Sequence, residues 1–129
     1  MIALHHVQLA APSGSEHAAR AFWIDGLGLT EVAKPAALQA KGGCWFRAHD
    51  GERVTAEIHV GVEDPFAPAR KAHPALVVDD GGVLDTLAAR LRSAGFEVDE
   101  RERHSFDGYL RFHTADPFGN RVEVLAPLA

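Results

Sequence analysis

The sequence predicts an α+β fold: two βαβββ modules whose mixed or antiparallel sheets form a concave cup, with helices outside. Three observations predict it. First, a phrase occurs twice. Leu4-His5-His6-Val7-Gln8-Leu9 and Ala72-His73-Pro74-Ala75-Leu76-Val77-Val78-Asp79-Asp80 each put a histidine at the entry to a β-prone run, ahead of a loop and a helix. Second, each half closes on a strand bearing an acid or imidazole, Glu57-Ile58-His59-Val60 and Arg121-Val122-Glu123-Val124. Third, the spacings agree. His6 and His73 lie 67 positions apart (73 minus 6), and Glu57 and Glu123 lie 66 apart (123 minus 57).

The bulk properties frame this reading. At 129 residues the chain is long enough for one domain that buries about two thirds of its unfolded surface. Its expected division is a first module over 1–63, a linker over 64–71 and a second module over 72–129. A net charge of −5 argues against general affinity for nucleic acid or anionic membranes. Cys44 is the only cysteine, which rules out an intrachain disulfide or a cysteine zinc cluster and fits a reducing cytoplasm. No apolar run approaches the ~20 residues needed to span a bilayer. His5, His6 and Gln8 interrupt the N-terminal apolar stretch, so no signal peptide is expected.

The elements follow in order. A strand is expected from Leu4 to Ala10, broken by Pro12-Ser13-Gly14. Ser13 and Glu16 have capping-box spacing, so a helix is expected to start there. Ala18, Ala19, Phe22 and Trp23 give it an apolar stripe, and Gly26 and Gly28 end it. Leu29 to Val32 reads as a short strand and Pro35 to Gly43 as a loop. Cys44 to Ala48 and Val54 to Val62 read as a hairpin across a polar turn. The second half repeats the order: a strand from His73 to Asp79, then a helix with Val83, Leu84, Leu87 and Leu91 at helical spacing, closed by Gly95. Strands follow at Phe96 to Glu100, Tyr109 to Thr114 and Val122 to Leu125, with the turn formers Asp116-Pro117-Phe118-Gly119-Asn120 before the last.

Strand alternation sorts the side chains. Val7 and Leu9 oppose His6 and Gln8. Leu76 and Val78 oppose His73, Ala75 and Val77. Ile58 and Val60 oppose Glu57 and His59, and Val122 and Val124 oppose Glu123. The aliphatic faces must meet the helices, so the other faces carry His6, His73, Glu123 and Glu57 with His59. Imidazole plus carboxylate without thiolate suits a divalent first-row metal: Fe, Mn, Ni, Co or Zn. His5, His17, His49 and His104 read as ordinary surface or hydrogen-bonded histidines.

The chain resembles the vicinal oxygen chelate superfamily, the glyoxalase, bleomycin resistance and extradiol dioxygenase group. The resemblance rests on His5-His6-Val7, on Phe22-Trp23 with Gly26-Leu27-Gly28-Leu29, and on Asp116-Pro117-Phe118-Gly119-Asn120-Arg121-Val122-Glu123. The last is the most specific and resembles a D-P-x-G-N-x-x-E signature. The resemblance implies paired modules around a divalent-metal cup, a homodimer and a small-molecule substrate. It carries metal-ligand roles to His6, His73 and Glu123. At the fourth corner the family's hydrophobic-His-hydrophobic triplet points to His59, whereas the internal spacing points to Glu57; His59 is preferred as the ligand, and one of the two would bind metal while the other acts as a base. Arg111 and His113 share a face of the penultimate strand and are candidate substrate contacts. Of Trp45 and Phe46, one faces the pocket and the other the core; Trp45 is taken as the pocket residue. The implied function is a metal-dependent enzyme that chelates vicinal substrate oxygens, with isomerase or lyase chemistry favoured and Glu123 and Glu57 as proton-transfer groups. The alternative is a metal-free drug- or metabolite-binding protein of the bleomycin-resistance type.

Overall fold

The duplication appears directly in the strand order. The computed structural model describes residues 1–129. Its first sheet contains β1 (Val7–Ala11), β2 (Thr30–Val32), β3 (Cys44–Asp50) and β4 (Arg53–Val62), in the order β1-β4-β3-β2. Its second contains β5 (Ala75–Val77), β6 (Val98–Asp99), β7 (Tyr109–Ala115) and β8 (Arg121–Pro127), in the matching order β5-β8-β7-β6. In each, the first strand lies parallel to the last and the remaining pairings are antiparallel.

The register refines the spacing argument. Val7 lies beside Ile58, whereas Leu76 lies beside Val124. Entry strands therefore match at an offset of 69 (76 minus 7), while the closing strands match at 66. His73 consequently sits two residues further from its sheet than His6 does. Both entry strands begin later than expected, at Val7 and Ala75. Pro74 lacks an N–H to donate to the ladder, although its carbonyl accepts from the Glu123 amide at 3.0 Å. His5, His6 and His73 thus belong to lead-in segments.

The first helix departs from its expected cap. α1 (Glu16–Arg20) has Ser15 at its N-cap, and the Ser15 hydroxyl donates to the Pro12 carbonyl instead of capping. Glu16 reaches across to accept from the Gly43 amide at 3.1 Å. The helix then widens into a π-helical turn, Ala21–Gly26, in which the Leu27 amide donates to Phe22 five residues back. Phe22 and Trp23, both fully buried, come from that turn. Gly28 ends it with φ +77°, a conformation that suits glycine. The expected loop from Pro35 to Gly43 contains a short helix, α2 (Ala36–Gln39). Four residues are too few to show a periodicity.

α3 (Gly81–Ser93) is capped by Asp80, whose carboxylate accepts from the Val83 amide at 2.9 Å. It buries Leu84, Ala88 and Leu91. These join Phe22, Trp23, Phe46 and Ile58 from the first half and Phe112, Val122 and Val124 from the second in one apolar core. Arg90 of α3 donates to the carbonyls of Asp25 and Ile24 at 2.6 and 3.1 Å, fastening α3 to the end of the π-helical turn. The opposite faces carry the buried polar residues Glu57, His59, His113 and Glu123.

Candidate metal centre

β4 turns Glu57 and His59 away from the core, and β3 sets Arg47 beside Glu57 and Trp45 beside His59. Glu57 and His59 are 6% and 5% exposed, so each needs partners. Arg47 Nε donates to Glu57 Oε1 at 2.5 Å and His59 Nε2 donates to Glu57 Oε2 at 2.7 Å. Burial raises the Glu57 carboxyl, but the hydrogen bonds from His59 and Arg47 outweigh it and leave the group below the usual carboxylate range. Burial holds the His59 imidazole below its ordinary value, only partly offset by Glu57. His5 and His6 complete the group: their Nδ1 atoms lie 2.9 Å apart, and His5 Nδ1 is 3.9 Å from Glu57 Oε2. One ligand atom each from His5, His6 and Glu57 falls within 4.8 Å of the others.

The second sheet builds a counterpart. His113 on β7 sits beside Glu123 on β8. His73 Nε2 lies 2.9 Å from Glu123 Oε1, and His113 Nε2 is 3.4 Å from the same oxygen. His73, His113 and Glu123 form the second group of ligand atoms within 4.8 Å. Arg111 Nη1 donates to Glu123 Oε2 at 3.3 Å. Burial raises the Glu123 carboxyl, but hydrogen bonds from His73 and Arg111 bring it below the ordinary range. Burial, reinforced by the Arg121 charge, lowers His113. His73 Nδ1 also donates to the Lys71 carbonyl at 2.7 Å. That bond selects the tautomer whose Nε2 lone pair can take a cation, the usual outer support of a ligating histidine.

Glu57, His59 and Glu123 lie on the strand faces turned away from the core, whereas His6 and His73 reach their clusters from the lead-ins ahead of β1 and β5. His5 and His113 join the clusters in ways the sequence reading did not assign. His5, read as an ordinary surface or hydrogen-bonded histidine, lies ahead of β1, which starts only at Val7, so the pleat does not govern it. His113 touches Glu123 and not only the open face; the cross-strand pairing with Glu123 carries that signal. Arg111 is committed to Glu123, to Ser105 Oγ at 2.8 Å and to the Glu102 carbonyl at 3.2 Å. Phe46 is fully buried, and Trp45 stacks on His59 at 3.9 Å between ring centroids.

Between the sheets opens a cavity of about 510 Å³, lined by His5, His6 and Glu57 on one side and by His73 on the other. Most of its remaining wall is apolar, including Leu29, Ile58, Leu76 and Leu87. Both histidine-bearing lead-ins therefore border one space. The donor set fits a hard or borderline divalent cation: each cluster offers imidazole and carboxylate, and Cys44 is buried with its thiol pushed up to about 11 by burial.

A family model for the Glyoxalase/Bleomycin resistance protein/Dioxygenase superfamily matches residues 3–124. The chain belongs to that superfamily. A crystal structure of a glyoxalase family protein from Bacillus anthracis is 39% identical, with a TM-score of 0.86 over 99% of this chain and 97% of that one. Two more distant structures show the same superfamily fold. Lactoylglutathione lyase from Agrobacterium tumefaciens is 23% identical, with a TM-score of 0.68 over 96% of this chain and 92% of that one. TnmS3, an antibiotic-binding protein from Streptomyces sp. CB03234, is 21% identical, with a TM-score of 0.67 over 99% of each chain. No curated protein matches the sequence. No helix is long and apolar enough to cross a membrane.

Proposed function

We propose that this chain is a small-molecule metalloenzyme that binds a divalent metal through His6, Glu57, His73 and Glu123. The observation that carries the reading is the pair of His/Glu clusters, one on each repeat, with His5, His6 and Glu57 of the first and His73 of the second bordering one cavity. Within that set Glu57 takes the corner for which His59 is the alternative, because Glu57 and not His59 groups with His5 and His6. The bound metal would polarise two neighbouring oxygens of the substrate. The protein's own groups would do the rest. Glu57 and Glu123, held ionised by their hydrogen bonds, are the proton acceptors and donors for isomerase or lyase chemistry. Arg111 and His113 would orient polar substrate groups beside Glu123, and Trp45 would wall the first sheet's side.

The ligand atoms form two separate groups. The outer edges of β1 and β5 also carry no strand partner. The unpaired edges favour a homodimer, the assembly the family resemblance implies. A cytoplasmic, membrane-free and nucleic-acid-free setting accords with the charge and the single cysteine.

Glu123→Ala tests the assignment. It should abolish Ni²⁺, Mn²⁺, Fe²⁺ and Zn²⁺ uptake while leaving the circular dichroism spectrum unchanged; retained affinity would remove Glu123 from the site. A second reading, a metal-free binder of a flat drug or metabolite, is favoured by the apolar cavity wall. It predicts ligand binding that is indifferent to chelators and to Glu123→Ala.

A further inference from the structure

We propose that His59 is a positioning residue: a ring clamped between Trp45 and His6 that aims the Glu57 carboxylate at the metal. The inference rests on the metal reading above, and in particular on His6 and Glu57 as ligands.

Three contacts carry it. The His59 imidazole lies on the Trp45 indole at 3.9 Å between centroids with planes 2° apart, and under the His6 imidazole at 4.0 Å with planes 17° apart. A ring held on both faces loses its tilting freedom. Its edge is then fixed on Glu57, with Nε2 2.7 Å from Oε2. One buried side chain therefore touches one candidate ligand with its face and the other with its edge.

The chemistry of the ring argues against ligation by the same residue. An ionised carboxylate only accepts, so the His59 proton resides on Nε2. The remaining lone pair is on Nδ1, the ring nitrogen that does not face Glu57, and His59 is not among the residues that group as ligands, His5, His6 and Glu57. Such a histidine constrains a ligand from outside, as carboxylates and carbonyls do for ligating histidines elsewhere.

The arrangement is also specific to one half. By register, Trp45 faces His59 on the first sheet, whereas Arg111 faces Leu125 on the second. The duplicate sheet has no imidazole or indole at these places. Its Glu123 is steadied instead by His73 and Arg111. The two half-sites thus hold equivalent carboxylates by different means, and only the first uses a stacked ring.

Co²⁺ titration separates positioning from ligation and from simple packing. His59→Phe keeps a flat ring between Trp45 and His6 but removes the donor; His59→Gln keeps a donor and removes the ring. His59→Phe should weaken Co²⁺ binding by about 10- to 100-fold, the usual effect of losing an outer partner. The visible Co²⁺ spectrum at saturation should not change, because the ligand set is intact. His59→Gln should recover most of the lost affinity. Trp45→Leu, which leaves the His59–Glu57 bond in place, should weaken binding several-fold with the same spectrum, and serves should the His59 variants not fold. A changed spectrum in His59→Phe would make His59 a ligand and overturn the proposal. Unchanged affinity across all three variants would reduce the stack to packing and overturn it equally. Absence of any Co²⁺ uptake by the wild-type protein would overturn the metal reading itself, and this role with it.

Discussion

At the scale of residues, Glu57, His59, His113 and Glu123 are buried polar groups held by one another and by Arg47 and Arg111. That burial makes the metal-free protein acid-sensitive, and the sign follows from each shift. His59 and His113 are depressed, so the folded state resists protonation that the unfolded chain accepts. Their contribution is complete above the unfolded histidine value of about 6.5 and is lost as pH falls below it. Glu57 and Glu123 are also depressed, and their contribution is lost lower, as pH falls from about 4.3 toward their folded values. The Tm measured in a chelator should therefore decline in two stages on acidification. A His59→Gln, His113→Gln double variant should lose the first stage; an unchanged profile would contradict the assignment. Cys44, its thiol pushed up to about 11, should resist iodoacetamide at pH 8 in the native state and react once urea unfolds the chain. Most of these residues were legible as chemistry from alternation alone. Their partners were not, because a hydrogen bond such as His59 to Glu57 depends on rotamers that no spacing encodes.

At the scale of elements, legibility tracked the strength of the local signal. α3 has a capping aspartate and a long apolar stripe, and it forms close to where those signals put it. α1 carries a plausible capping box at Ser13 and Glu16, yet Glu16 is drawn instead to the Gly43 amide, a tertiary contact 27 residues away. The π-helical turn had no signature; it is set by the need to bury Phe22 and Trp23 side by side. Gly43 marks the tightest approach in the first sheet. Its φ is +84°, and a Cβ there would lie 2.0 Å from the Val60 carbonyl oxygen. Gly43→Ala should thus cost more than the ~1–2 kcal/mol of a left-handed alanine, read as a shift of the urea midpoint. A loss below that would mean that β3 can move away from β4 at its start. Gly51→Ala, also at positive φ but with open space around its Cβ, should cost less.

At the scale of the whole molecule, the repeat was the most legible feature, because a duplication imposes equal offsets on residues that have diverged in kind. The two-residue register difference between β1 and β5 was hidden, since it resides in pairing and not in the order of residues. What joins the halves was equally hidden. Asn120, 1% exposed, donates to the Ala10 carbonyl at 2.8 Å and to Asp116 Oδ2 at 2.8 Å, and accepts from the Ala69 amide at 2.9 Å. It ties the first strand, the connecting segment and the last hairpin together. Asn120→Ala should destabilise the fold by about 2–4 kcal/mol, given that orphaned buried groups cost about 1–3 kcal/mol each; a loss under 1 kcal/mol in urea unfolding would show the halves to be joined by the apolar core alone. The central claim is that the paired clusters hold a divalent metal. Elemental analysis of the purified protein, with thermal shift on adding Ni²⁺, Mn²⁺, Fe²⁺ or Zn²⁺ to the chelated form, tests it most directly. Stoichiometric metal and a raised Tm with at least one of these ions are expected; no stoichiometric metal and no shift with any of them would contradict it.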